Sequence, residues 1–255
     1  MDLSGLIVRE GAVARATGRV LEVEGEVWFE RPEPVPLVWP PRPPRPGRFA
    51  VRAHGVDLDR LDRRQQHATG IEGWTTLTGT WQSQRLRVRT QTSWQPPDSR
   101  RGRRTDPPCA PPPQGWPRNG EHGNPMPSAP PDDEWEALSI MQVAWFHPAG
   151  AGPVLVVSAE DPARVERLLR PEFGAALCVV PSRYTRQQIE GVARRLRVEG
   201  ESRRWLISMH GSGVGGDGQP RLTVELARVV PAMAEWAATV PDGLLAVDVW
   251  LAPVT

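Results

Sequence analysis

The sequence predicts an α+β protein of two domains, a small N-terminal β-barrel followed by a mixed α/β domain with a helix-covered sheet. Three observations predict it. Residues 1–92 are dominated by alternating runs rich in β-branched and aromatic residues. Residues 93–131 lose any helical or strand period and fill with proline and arginine. From 132 to 255, apolar strands alternate with amphipathic helical stretches.

In the first region, residues 12–30 alternate around Val20, Leu21, Val23, Val27 and Phe29. A proline block at 32–46 reads as a long loop, and residues 48–54 alternate again. Residues 57–67 combine helix formers with an acidic first turn and stop before Gly70, which predicts a short helix. Two strands follow, at 73–81 and 85–92, across the polar turn Gln82-Ser83-Gln84.

This order of elements resembles the OB-fold, a small barrel with one helix between its third and fourth strands. The residues that carry the resemblance are 55–61 (GVDLDRL) and 77–88 (LTGTWQSQRLRV). It covers residues 5–92 and rests on element order alone.

The stretch 93–131 reads as a semi-rigid spacer between the domains. Repeated prolines remove backbone donors and hold the chain extended. It also carries Cys109 and four arginines between positions 100 and 104.

In the second region, apolar runs at 139–146 and 153–158 flank Ala149-Gly150-Ala151-Gly152, which suits a hairpin. Asp161-Pro162 is an N-cap followed by proline at the first helical position. Residues 176–180 form a continuous apolar strand, as expected beneath helices. Thr185 and Gln188 have capping-box spacing and open a helix with Ile189, Val192, Ala193 and Leu196 on one face. Strands at 205–210 and 221–230 flank a glycine-rich loop; Pro231 starts a last helix, and 244–251 closes the domain as a strand. Strand–Pro162–helix–Gly174–strand is echoed by strand–Pro231–helix–Gly243–strand, which predicts two βαβ-type units in one mixed sheet.

Composition narrows the function. All 31 basic residues are arginine, as expected of a GC-rich bacterial genome, and each guanidinium can contact phosphate or carboxylate through two bonds. Net charge is +1, with an arginine excess in residues 1–131 and an acidic excess in 132–255. The two cysteines, one in the spacer and one in an apolar strand, are not expected to pair. Neither a leader nor an apolar membrane span is read from the sequence, so the expected location is cytoplasmic, with no membrane partner.

Among possible sites, Gly211-Ser-Gly-Val-Gly-Gly216 has the letters of a dinucleotide fingerprint, but an alternating run follows where a helix should begin. The five histidines and two cysteines fall at no metal-ligand spacing, and neither a catalytic residue, a metal nor a cofactor is expected. Acidic residues at 132–134 suit a helix start. Two clusters remain. Ser182, Arg183 and Tyr184, just beyond a strand end, with His210, could hold an anion or ligand. Trp28, Phe29, Arg31, Trp39, Arg52, Arg85 and Arg87 interleave aromatic rings with cations, the combination used on single-stranded nucleic acid. The expected function is a non-enzymatic binding or adaptor protein with a protein partner. The alternatives are single-stranded nucleic acid binding by the barrel, and an enzyme with a site near Ser182 and Arg183.

Overall fold

The computed structural model describes residues 1–31, 45–94, 105–118, 139–202 and 204–254. The chain is α+β: one large sheet formed mainly by the first region, and two smaller sheets with helices.

The first region is built from β1 (Val13–Val23), β2 (Glu26–Glu30), β3 (Val51–His54), β4 (Asp62–His67), β5 (Gly70–Gln82) and β6 (Arg85–Thr92). Glu24 and Gly25, both at positive φ, form the tight turn that matches strand twist between β1 and β2. β1 pairs antiparallel with β2 on one side and along its whole length with β5 on the other. β2 pairs with β3, β3 runs parallel to β6, and β6 returns antiparallel to β5. The ring β1-β2-β3-β6-β5-β1 is therefore closed. Tight curvature explains Gly18 and Gly79: a Cβ at either would lie 2.2 Å from a neighbouring strand's carbonyl, that of Glu30 or Arg87. Phe29, Leu77 and Leu86 are fully buried inside the ring.

The short helix expected at 57–67 is replaced by a 3-10 turn, Leu58–Arg60, and by β4, which pairs with β5. Residues 62–67 contain no large apolar side chain, so a helix there would have no stripe to bury. An edge strand needs none, because the β5 backbone supplies its partners.

The second region contains β7 (Ile140–Phe146), β8 (Val154–Ala159), α1 (Pro162–Phe173), β9 (Leu177–Pro181), α2 (Arg186–Ser202), β10 (Ile207–Val214), β11 (Pro220–Leu226), α3 (Pro231–Ala237) and β12 (Leu245–Val249). The Asp161 carboxylate caps α1 by accepting from the Arg164 N–H at 3.0 Å. Thr185 and Gln188 form the reciprocal capping box at 2.9 and 3.3 Å. The repeat is two hairpin–helix–strand units. In each, an antiparallel hairpin is followed by a helix and a strand parallel to the second hairpin strand.

The single mixed sheet expected here is instead two three-stranded sheets, β7-β8-β9 and β10-β11-β12. Their edges β7 and β10 adjoin: with its amide oxygen turned to accept, Gln142 bonds the Gly213 N–H and the Ser212 hydroxyl at 3.0 Å. The glycine-rich stretch is not a loop throughout. β10 runs through Gly211-Ser-Gly-Val214, held by the β11 ladder, and the turn begins at Gly215.

Both chain ends cross over. Leu3 is buried among Tyr184, Val229 and Met233, and Ile7 bridges Val229. At the other end, β13 (Ala252–Pro253) pairs with Ala14 and Arg15 of β1, on the side that β2 occupies further along. Trp250 and Leu251 belong to the barrel core.

Cys109 and Cys178 form a disulfide, Cα to Cα 5.8 Å, contrary to expectation. Residues 105–118 lie against β9, with Cys109 and Trp116 packed on the cluster of Ala144, Phe146, Val154, Val156 and Val214. The Gly152 N–H also bonds the Pro117 carbonyl at 2.7 Å. Prolines that cannot enter a ladder still present apolar faces, and Trp116 adds an anchor.

Candidate functional site

The barrel's outer face is set by strand register. Side chains alternate in and out, so residues abreast on paired strands share a face. Trp28 is abreast of Arg52, Arg52 of Arg85, and His54 of Arg87. Thr80 and Gln82 continue the two rows on β5. Between them, Ala53 and Leu86 point into the core.

The rows form a basic face with one exposed ring edge. The Arg52 guanidinium lies 5.1 Å from the centre of the half-buried Trp28 ring and pairs with Glu26 at 2.9 Å. Arg85 Nη1 sits 3.4 Å from His54 Nε2. Arg87 and Arg89, both exposed on β6, have no ion-pair partner among the described residues. Like charges set directly across a strand pair are destabilising, and the Glu26 carboxylate offsets this where Arg52 stands beside Arg85.

Other candidates are placed differently. Phe29 is fully buried and packs on Trp250, so its ring is not displayed. Arg31 spends its charge inside the molecule, on Glu225 at 2.9 Å and Asp248 at 2.8 Å. Trp39 lies outside the described residues.

Ser182, Arg183 and Tyr184 do gather at the end of β9, but their polar groups are committed locally. The Ser182 hydroxyl donates to the Tyr184 carbonyl at 2.7 Å and accepts from the Tyr184 N–H. The Arg183 N–H donates to Gln219 Oε1, and its guanidinium lies 3.7 Å from Asp217. Tyr184 is buried and donates its hydroxyl to the Asp242 carbonyl at 2.6 Å. Burial, followed by the Asp217 charge, raises its pKa above 10.0. Together these bonds tie the end of β9 to the β10–β11 turn and to the segment before β12.

His210 is not part of that cluster. It lines a separate cavity of about 310 Å³ with Arg48, Arg197 and Met209. Among the described residues, no three His, Cys, Asp or Glu side chains are grouped to hold a metal ion. No helix among them is long and apolar enough to cross a membrane.

Register is the signal that sequence reasoning lacked on the barrel face. His54 joins it because β3 and β6 run side by side, a pairing that no local pattern announces. No family model matches the chain, and neither a curated protein nor a solved structure matches it.

Proposed function

We propose that this chain is a non-enzymatic binding protein whose barrel takes single-stranded nucleic acid across β2, β3 and β6. The observation that carries this reading is the side-by-side register of Arg52 with Arg85 and of His54 with Arg87, with Trp28 stacked beneath Arg52. Guanidinium rows track phosphates, while an aromatic ring receives a base whatever its identity. The OB-like reading of the barrel supports it. Five strands close in a ring, with one parallel pair, and the face runs from Trp28 on the second strand and Arg52 on the third, the strands that oligonucleotide-binding members of that fold use, onto Arg85 and Arg87 of β6.

A cytoplasmic location, expected from the sequence, would carry with it the reduced form of Cys109 and Cys178. The bridged form goes with an oxidising compartment.

The test is anisotropy of a labelled single-stranded oligonucleotide, titrated at several salt concentrations. Binding should weaken as salt rises. Arg85→Glu and Arg87→Glu should each weaken it and shallow the log–log salt slope by about 0.7 for each phosphate no longer neutralised. An oligonucleotide that stays unbound even at low salt rules the reading out.

A further inference from the structure

The barrel meets the second hairpin–helix–strand unit along a seam whose charges are mostly matched. Arg31 bridges it to two carboxylates, and the Trp250 indole N–H donates to the Thr17 carbonyl at 2.9 Å. Arg228 is the exception. It is half-buried, its guanidinium lies 4.9 Å from the Trp81 ring centre, and Nη2 donates to Gln84 Oε1 at 2.8 Å. No carboxylate pairs with it among the described residues. Burial lowers its pKa from the ordinary arginine value, with no anion to offset the cost.

Arg228 borders a cleft of about 210 Å³, whose other walls include Arg48, Phe49, Val51, Gln84 and Leu206. Arg48 donates to the Gly200 carbonyl at 3.0 Å and likewise has no carboxylate partner among the described residues. Two arginines without a carboxylate partner among the described residues thus border one small cleft whose lining mixes polar and apolar groups, where a charge interaction is screened less than in open water.

We propose that this cleft binds a phosphate group between Arg48 and Arg228. The volume is below the roughly 300–1,000 Å³ of sites for whole organic ligands, so the occupant is a group rather than a nucleoside. Two cations suit an ion that carries close to two charges at neutral pH, and a guanidinium fork matches phosphate oxygens. With its oxygen taken by Arg228, Gln84 retains its amide N–H donors for the same ion. The phosphate has two sources. It can be free inorganic phosphate, or the terminal phosphate of a strand on the barrel face, because Gln84 directly precedes Arg85 and Val51 directly precedes Arg52. The strand source rests on the proposed function; the free-phosphate source does not.

The experiment is calorimetric titration of the full chain with inorganic phosphate at constant ionic strength, with chloride as control. Arg48→Gln and Arg228→Gln are compared with the unaltered protein. Saturable phosphate binding, weakened about 10- to 100-fold in each variant, is the expected result. Arg48 is exposed, so its variant keeps the test valid if Arg228→Gln fails to fold. Phosphate heats indistinguishable from chloride, or an Arg48→Gln variant that binds as the unaltered protein does, would overturn the site. A second arm compares oligonucleotides with and without a 5′-phosphate. A preference for the phosphorylated end, abolished in Arg48→Gln, assigns the strand source. Saturable inorganic phosphate binding without that preference assigns the free ion. If no oligonucleotide binds while inorganic phosphate does, the nucleic-acid reading fails and the phosphate site stands.

Discussion

Trp250 packs on Phe29 with ring centroids 5.0 Å apart, joining a residue near the far end of the chain to the centre of a barrel whose strands otherwise come from the first ninety or so residues. Leu3 makes the reciprocal connection, buried beside Met233 of α3. Each unit therefore finishes its core with residues from the opposite end of the chain.

Trp250→Ala should destabilise the barrel by about 3–5 kcal/mol, the usual cost of removing a large buried aromatic side chain. Because Leu251 and β13 are held through the same segment, the barrel and the second unit should also lose cooperativity. Denaturant unfolding followed by circular dichroism and by tryptophan emission checks both: one coincident transition in the unaltered protein, and separated transitions in the variant.

Reducing the Cys109–Cys178 bridge should lower stability by roughly 2–4 kcal/mol, since the bridge closes a long loop in the unfolded chain. Cys109→Ala should match the reduced protein and be insensitive to reductant. Thermal melts with and without reductant, with alkylation to count thiols, test this. A protein that alkylates fully without reductant contradicts the bridge.

Tyr184 is the chain's one tyrosine, so phenolate absorbance reports it alone. Its folded pKa lies above 10.0, raised by burial first and by Asp217 second. The neutral phenol is the form the fold favours. Its contribution is complete below the unfolded pKa and is lost as pH rises through the folded one. Native protein should therefore ionise at higher pH than protein unfolded in denaturant. Tyr184→Phe should cost about 0.5–1.5 kcal/mol near neutrality by removing the bond to Asp242, and should reduce the alkaline loss of stability.

What could be read in advance was local. Asp161-Pro162, the Thr185–Gln188 capping box and Pro231 each mark a helix start through contacts only a few residues apart, and each stands where the sequence places it. The hairpin of β7 and β8 and the strand β9 follow from apolar runs of the right length. Polar residues 62–67 misled because helix propensity is weak without an apolar stripe, and β5 offered a free edge. The partners of Leu3, Trp250 and Cys109 lie tens to hundreds of positions away, where periodicity carries no information. The basic face was half legible: the arginines were visible as a group, but β3 lying parallel to β6 decided which of them stand together, and the burial of Phe29 removed one ring from the surface.

The crossing of the chain ends has a consequence for biosynthesis. A ribosome delivers Trp250, Leu251 and β13 only after everything that precedes them, so the ring of β1 to β6 emerges early with part of its interior unfilled. Until they arrive the ring is an incomplete vessel, and these residues act as its closing plug.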